Sequence, residues 1–392
     1  MHTRLRILVV TLDAAGNWPP ELALIRALVE RGHAVRVISD AAHAGSVEAA
    51  GAQFTPYRHV PDGVLASVLG EPEDAERMRV LQDVFFNAAF ADEVRSALDD
   101  ESPDVLLVDG MPFFGLAAAE RAPAPSIVLW HTVYGATARN PMWAALREPV
   151  NGIRRTVGLA PLEEQRGLFS GAEAVLAFTW ERFDVAIEPR PDNLHYVGPL
   201  GCAPSAPTSF ELPWPSGDSR PLVLVSYSTS FQRQTEVLQR LADAVEGLPV
   251  RVLLTLGPAI DAAQLRLPDN VVAERFVPHA AVLPHARLVI THAGHGTVMA
   301  AVTAGVPLLC TPMGRDQPLV AVCVEERNLG HVLQPSATVD ELRRAIATAL
   351  ADEDLPTRAR QFAAGLDLDA GRQRAVEVVE TVARRDRQDR TY

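Results

Sequence analysis

Arg287-Leu-Val-Ile290, followed by Thr291-His292-Ala293-Gly294-His295-Gly296-Thr297 and then the alanine-rich Val298 to Gly305, is the stretch whose reading decides the fold. An apolar run that breaks at a glycine-bearing turn and opens a helical segment is a strand–turn–helix unit. The glycines let the backbone approach a ligand, and the first helical turn offers unpaired N–H groups and a partial positive charge. Two histidines and a hydroxyl add further donors. The turn suits an anion, above all a phosphorylated ligand.

The same alternation repeats outward from this unit. Leu222–Ser226 and Val250–Leu256 read as strands around a helix at Gln234–Glu246, and Val306–Thr311 as a strand beyond the turn. Thr338-Val-Asp-Glu341 has the pattern of a capping box opening a helix that runs to Leu350. In the first half, Leu5–Leu12, Ala34–Ile38, Val105–Val108 and Ser126–Trp130 read as buried parallel strands. Helices follow at Pro20–Arg31, with prolines at its start and Gly32 past its end, and at Phe114–Arg121. The proline- and glycine-rich Gly198–Pro221 interrupts the pattern as a linker. The expected boundaries are 1–205 for a first α/β domain, 206–220 for the linker, 221–370 for a second α/β domain and 371–392 for a C-terminal helix and tail.

Composition narrows the function. A chain of 392 residues, 48% hydrophobic, has ample material for two cores. Its net charge of −13 argues against a nucleic-acid partner. The apolar run after Met1 stops at Asp13, too short for a signal peptide, and none reaches the ~18 residues of a membrane span. A cytoplasmic protein is expected. Cys202, Cys310 and Cys323 form neither a disulfide framework nor a metal motif, and Cys310 reads as core. Every one of the 36 basic residues is arginine, which excludes lysine-based chemistry.

Gly294-His-Gly296 with Asp316 has something of a dinucleotide fingerprint. Met299 stands where that fingerprint needs a small residue, and histidines crowd the turn, so this reading is set aside. Asp352-Glu-Asp354 and Asp367-Leu-Asp369 lie in a polar region, not after a core strand, and no metal or other cofactor is expected. His33 follows a helix at the far end of the strands and reads as structural.

His292-Ala-Gly-His-Gly-Thr297, Ala304-Gly-Val-Pro307, Pro312-Met-Gly-Arg-Asp-Gln317 and Phe276-Val-Pro-His279 together resemble the donor-binding signature of GT-B glycosyltransferases, nearest to bacterial enzymes acting on polyketides and similar natural products. The resemblance implies two Rossmann-like α/β domains facing a central cleft, the first binding the acceptor and the second a nucleoside diphosphate sugar. It implies that His292, Gly294, His295, Gly296 and Thr297 hold the diphosphate, with Ser228 and Thr229 nearby. Phe276 and Val277 would hold the base, and Asp316 and Gln317 the sugar hydroxyls. Ala300 replaces a ribose-binding glutamate, which favours a thymidine over a uridine donor. The reaction implied is inverting, metal-independent sugar transfer to a hydrophobic small molecule.

The first half departs from the family at one position. Where a Gly-His-x-x-Pro turn would supply a catalytic histidine, this chain has Gly16-Asn17-Trp18-Pro19-Pro20. Asn17 cannot accept a proton. Asp13 and Asp109, each at a strand end, become the candidate bases, with His131 a third. An acidic acceptor would lessen the need for one, and an auxiliary sugar-nucleotide-binding partner is the alternative function. Trp18, Phe85, His131 and Trp143, together with Phe86, Phe90 and Met142, are expected to line the acceptor pocket, although core packing explains several equally well. Oligomeric state is left open, a homodimer included.

Overall fold

The computed structural model describes residues 3–13, 16–58, 84–100, 102–137, 143–201, 210–227, 234–257 and 260–389. They form two units, each with its own parallel sheet. The first contains β1 (Arg6–Val10), β2 (Ala34–Ser39), β3 (Gln53–Pro56), β4 (Val105–Asp109), β5 (Ser126–Trp130), β6 (Ala174–Ala177) and β7 (Leu194–Tyr196). Their order across the sheet is β3-β2-β1-β4-β5-β6-β7. Successive side chains point to opposite faces. Ile7, Val9, Leu107 and Leu129 join one core with Leu24, Ile25 and Leu28 of the helix Trp18–Glu30. Leu8, Val10, Leu106 and Val108 join the other with Phe90 and Phe114. Every residue of β4 and β5 is buried, which is why these strands are unbroken apolar runs rather than alternating ones.

The helix Leu368–Asp389 also belongs to the first unit. Its Ala375, Val376, Val379 and Ala383 lie in the core that holds Ile7 and Leu107. Its buried Glu380 accepts hydrogen bonds from Arg31 Nε at 2.9 Å and Arg384 Nη2 at 3.1 Å, and lies 3.2 Å from His33 Nε2. His33 Nδ1 accepts the Leu5 amide at 3.3 Å, so this histidine ties β1, β2 and the last helix together at the N-terminal edge of the sheet.

The second unit holds β8 (Leu222–Ser226), β9 (Arg251–Thr255), β10 (Val271–Glu274), β11 (Ala286–Thr291), β12 (Leu308–Cys310) and β13 (Gly330–Val332), in the order β10-β9-β8-β11-β12-β13. All its strand pairs are parallel. The turn after β11 leads into the helix His295–Ala304, which ends at Gly305 in the left-handed region with φ 67°. Thr338 and Glu341 form the expected reciprocal capping box, opening the helix Val339–Ala351. Cys310 is fully buried in β12, and burial pushes its thiol up to about 12. Strand order reverses between β1 and β4 in the first sheet and between β8 and β11 in the second. In open parallel sheets the ligand site lies at such a switch point, beyond the carboxyl ends of the strands.

Candidate active site

In the second unit the expected donor residues gather at the switch point. His292 follows β11 beside Tyr227, which follows β8, with ring centroids 5.6 Å apart. Burial first, then the nearby Arg315 cation, lowers the His292 pKa to about 4, so the ring is neutral at physiological pH. Ala293, buried and with φ 65°, turns the chain sharply into the helix. A non-glycine residue there costs on the order of 1–3 kcal/mol, a strain characteristic of functional turns. Gly294 is the N-cap, and a side chain on it would strike His292 Nε2 at 2.5 Å. His295, Gly296 and Thr297 form the first helical turn, and the space beside Gly296 is open.

Neighbouring strand ends complete the rim. Ser226 Oγ is 3.1 Å from His279 Nε2, joining the end of β8 to the turn after β10. That turn carries Phe276, 77% exposed, and Val277, buried. A large exposed aromatic next to an anchored valine is suited to stacking a flat ring. Beyond β12, Gln317 Oε1 accepts the amides of Met313 at 2.8 Å and Gly314 at 3.1 Å, which fixes the loop bearing Asp316. Ser228 and Thr229 lie outside the described residues. Asp352 Oδ1 accepts the amides of Asp354 and Leu355, both at 2.9 Å, where the chain enters the helix Leu355–Ala364.

In the first unit a buried polar cluster occupies the switch point. Asp109, at the end of β4, is fully buried. Its Oδ2 accepts Asn17 Nδ2 at 2.6 Å and Thr11 Oγ1 at 3.2 Å. Its Oδ1 accepts the Met111 amide at 2.8 Å and lies 2.8 Å from His131 Nε2. Asn17 precedes the helix Trp18–Glu30 but does not cap it; the amide is turned onto Asp109 and the Leu12 carbonyl. With four donors on Asp109, the carboxylate holds its neighbours in place and offers little to an acceptor's proton. Asp13 is the more open acid, its side chain 33% exposed and its Oδ1 3.8 Å from His43 Nε2. Trp18 stacks on His43 with centroids 3.8 Å apart.

The sequence reading missed Glu21. It occupies the apolar stripe of its helix with Leu24, Ile25 and Leu28, at the i, i+3, i+4, i+7 spacing of a buried face. A carboxylate in such a stripe was the available signal. Glu21 Oε1 lies 3.2 Å from His131 Nε2, which is aligned on Asp109, so neither Glu21 oxygen receives a well-directed hydrogen bond. Burial first, then the Asp109 charge, raises its pKa to about 7. For His131, burial opposes the charged ring, but Asp109 and Glu21 outweigh it and raise the pKa to about 10. Among the expected pocket residues, Phe85 is a core side chain, 7% exposed. Trp143 Nε1 donates to the Glu163 carbonyl at 3.1 Å, with its ring against the same core. Met142 lies outside the described residues.

Comparison with known proteins gives these two sites a context. Residues 239–383 match the family model for the erythromycin biosynthesis protein CIII-like C-terminal domain. Demethyllactenocin mycarosyltransferase of Streptomyces fradiae is 30% identical over 88% of this chain and 78% of its own length. Oleandomycin glycosyltransferase of Streptomyces antibioticus is 27% identical over 99% and 93%. The calicheamicin glycosyltransferase CalG4 superposes with a TM-score of 0.76 at 26% identity, over 97% of this chain and 98% of that one. With two parallel α/β units of the GT-B type and relatives of this kind, the chain belongs to the natural-product glycosyltransferase family and is a glycosyltransferase.

Proposed function

We propose that the enzyme is an inverting, metal-independent transferase that moves a sugar from thymidine diphosphate to a hydrophobic natural-product acceptor. The observation that carries the donor side is the convergence of His292 and the His295–Ala304 helix start at the second switch point. As the glycosidic bond to the diphosphate breaks, negative charge grows on its oxygens. Helix-start amides and a neutral imidazole are fixed donors that stabilise this charge without reorganising, and a metal is not required for it. Ala300 on the same helix brings no carboxylate to a ribose hydroxyl. The glycosyltransferase VinC, similar at a TM-score of 0.69 and 23% identity, was solved in complex with dTDP, which supports the same donor preference.

On the acceptor side, Asn17 cannot take a proton and Asp109 is occupied by its four donors. Asp13 is the carboxylate best placed to accept the proton. The test is incubation with TDP- and UDP-sugars and a panel of aromatic and macrocyclic aglycones, in chelator, with product mass and anomeric configuration read out. Glycoside of inverted configuration, formed faster from the TDP donor, is expected. Tight donor binding without glycoside from any acceptor would instead support the auxiliary, non-catalytic reading that Asn17 motivates.

A further inference from the structure

We infer that the first-unit site takes its acceptor as an anion: His131, locked by Asp109 and Glu21, presents its Nδ1–H to the acceptor oxygen and fits the site to acidic hydroxyls, phenols and enols, rather than aliphatic alcohols. The inference rests on the transferase reading and specifies its acceptor class.

The geometry supplies the argument. His131 Nε2 lies 2.8 Å from Asp109 Oδ1 and 3.2 Å from Glu21 Oε1, so one edge of the ring is committed to carboxylates. The other edge is uncommitted: Nδ1 is buried without a hydrogen-bond partner among the described residues, as is the neighbouring Thr132 Oγ1. A buried donor left unpaired is costly to the fold, so two at one strand end mark a place built for a ligand oxygen. Of the three cluster side chains, only His131 has any exposure, 10% against 0% for Asp109 and Glu21.

The groups facing the ring are Asp109 from β4, Glu21 from the helix Trp18–Glu30 and the Phe178 ring, 5.6 Å away. Behind the carboxylates stand Thr11 and Asn17, both donors to Asp109. Tyr57, whose phenol burial keeps neutral, feels both carboxylates. No other cation in this set competes with His131. Burial and Asp109 keep Glu21 partly protonated near neutral pH, and it adds its full negative charge behind the imidazolium only as pH rises. Such a ring is a donor at neutral pH, not a base. It stabilises an ionised acceptor where the family's histidine would have ionised a neutral one. In the reaction the acceptor O–H bond breaks and its proton goes to Asp13 or to water. The oxygen's electron pair then attacks the anomeric carbon, and the bond to the diphosphate breaks with its pair on the phosphate oxygen.

The test needs no turnover. 4-Nitrophenol and 7-hydroxycoumarin are titrated with the full-length enzyme plus TDP, in buffer acid to each phenol's own pKa, and phenolate absorbance is recorded. The bound phenol should be ionised by at least about tenfold over the free one, a shift of about one pKa unit. His131→Gln, which keeps a neutral donor, should abolish the shift. Glu21→Gln should keep it but move its alkaline limit to lower pH, because His131 loses one of the charges that hold its proton. A merely structural Glu21 would not move that limit. Phenol bound in its neutral form, failure of either phenol to bind at millimolar concentration, or an unchanged shift in His131→Gln would overturn the inference. Rapid transfer to a simple aliphatic alcohol, equal to that to a phenol, would overturn it while leaving the transferase reading intact. A phenolate shift without glycoside from any acceptor would uphold the inference and remove the transferase reading.

Discussion

Replacing Gly294 and Gly296 separately by alanine should divide two roles that the sequence gives to one turn. A Cβ on Gly294 would stand 2.5 Å from His292 Nε2 and 2.8 Å from its Cε1. Carbon contacts are comfortable only from about 3.5 Å, so the ring must move by on the order of 1 Å. The imidazole is 6% exposed and packed beside Tyr227, so it cannot swing out into water. Crowding of this kind costs the fold about 1–3 kcal/mol. On the proposed donor reading, the displaced ring would also lose its hydrogen bond to the diphosphate. A hydrogen bond to a charged group is worth about 1.5–3 kcal/mol, so TDP affinity should fall roughly 10- to 150-fold. Gly296 behaves differently. A Cβ there meets nothing within 4 Å, and alanine in a helical turn gains roughly 0.5–1 kcal/mol over glycine. Gly296→Ala should therefore keep or raise Tm yet, on the proposed donor reading, lose affinity, because its methyl would fill space the phosphates need. Calorimetric titration with TDP and thermal melts of both variants measure this. Wild-type affinity in Gly294→Ala would remove His292 from the donor site. Wild-type affinity in Gly296→Ala would refute close approach of the diphosphate to that backbone.

Asp109→Asn should cost about 3–5 kcal/mol in urea unfolding, since it leaves a buried imidazolium without its principal counter-charge; a loss under about 1 kcal/mol would mean that the cluster is not ionised. Glu21 and His131 both hold protons more tightly folded than unfolded. Their stabilisation is therefore complete below their unfolded pKa values and fades as pH rises through about 7 and about 10. Tm should fall across that alkaline window and fall less in His131→Gln; parallel profiles would reject the assignment. Glu380→Ala should cost about 1–3 kcal/mol and expose the Leu368–Asp389 helix to proteolysis before the rest of the chain, because Arg31 and His33 lose their shared acceptor. Simultaneous cleavage throughout would show that the contact does not hold this helix.

The strands were legible because parallel strands buried on both faces leave unbroken apolar runs, as in Val105–Val108 and Ser126–Trp130. The strand–turn–helix unit at Thr291–Thr297 was legible because glycine spacing and a helix start are local properties. Thr338 and Glu341 were readable for the same reason, lying three residues apart. The buried polar cluster of the first unit was not. Asn17 and Asp109 are 92 positions apart, and His131 meets Asp109 across two strand ends. No local pattern records that the asparagine amide and the imidazole share one carboxylate. Glu21 left a trace, an acid in an apolar stripe, but the carboxylate's partners come from other elements. Phe85 was ambiguous from the start, since an apolar pocket and an apolar core ask for the same residue.

The docking of Leu368–Asp389 on the first unit also has a consequence for how the molecule is made. The segment that completes this core is translated only after the whole second unit. Until then Ile7, Leu107 and Leu129 lack part of their cover, and the nascent first unit carries an open apolar face. The described residues of the second unit all lie between Phe210 and Asp367, so it has no such wait. The half that emerges first from the ribosome is thus the half that matures last.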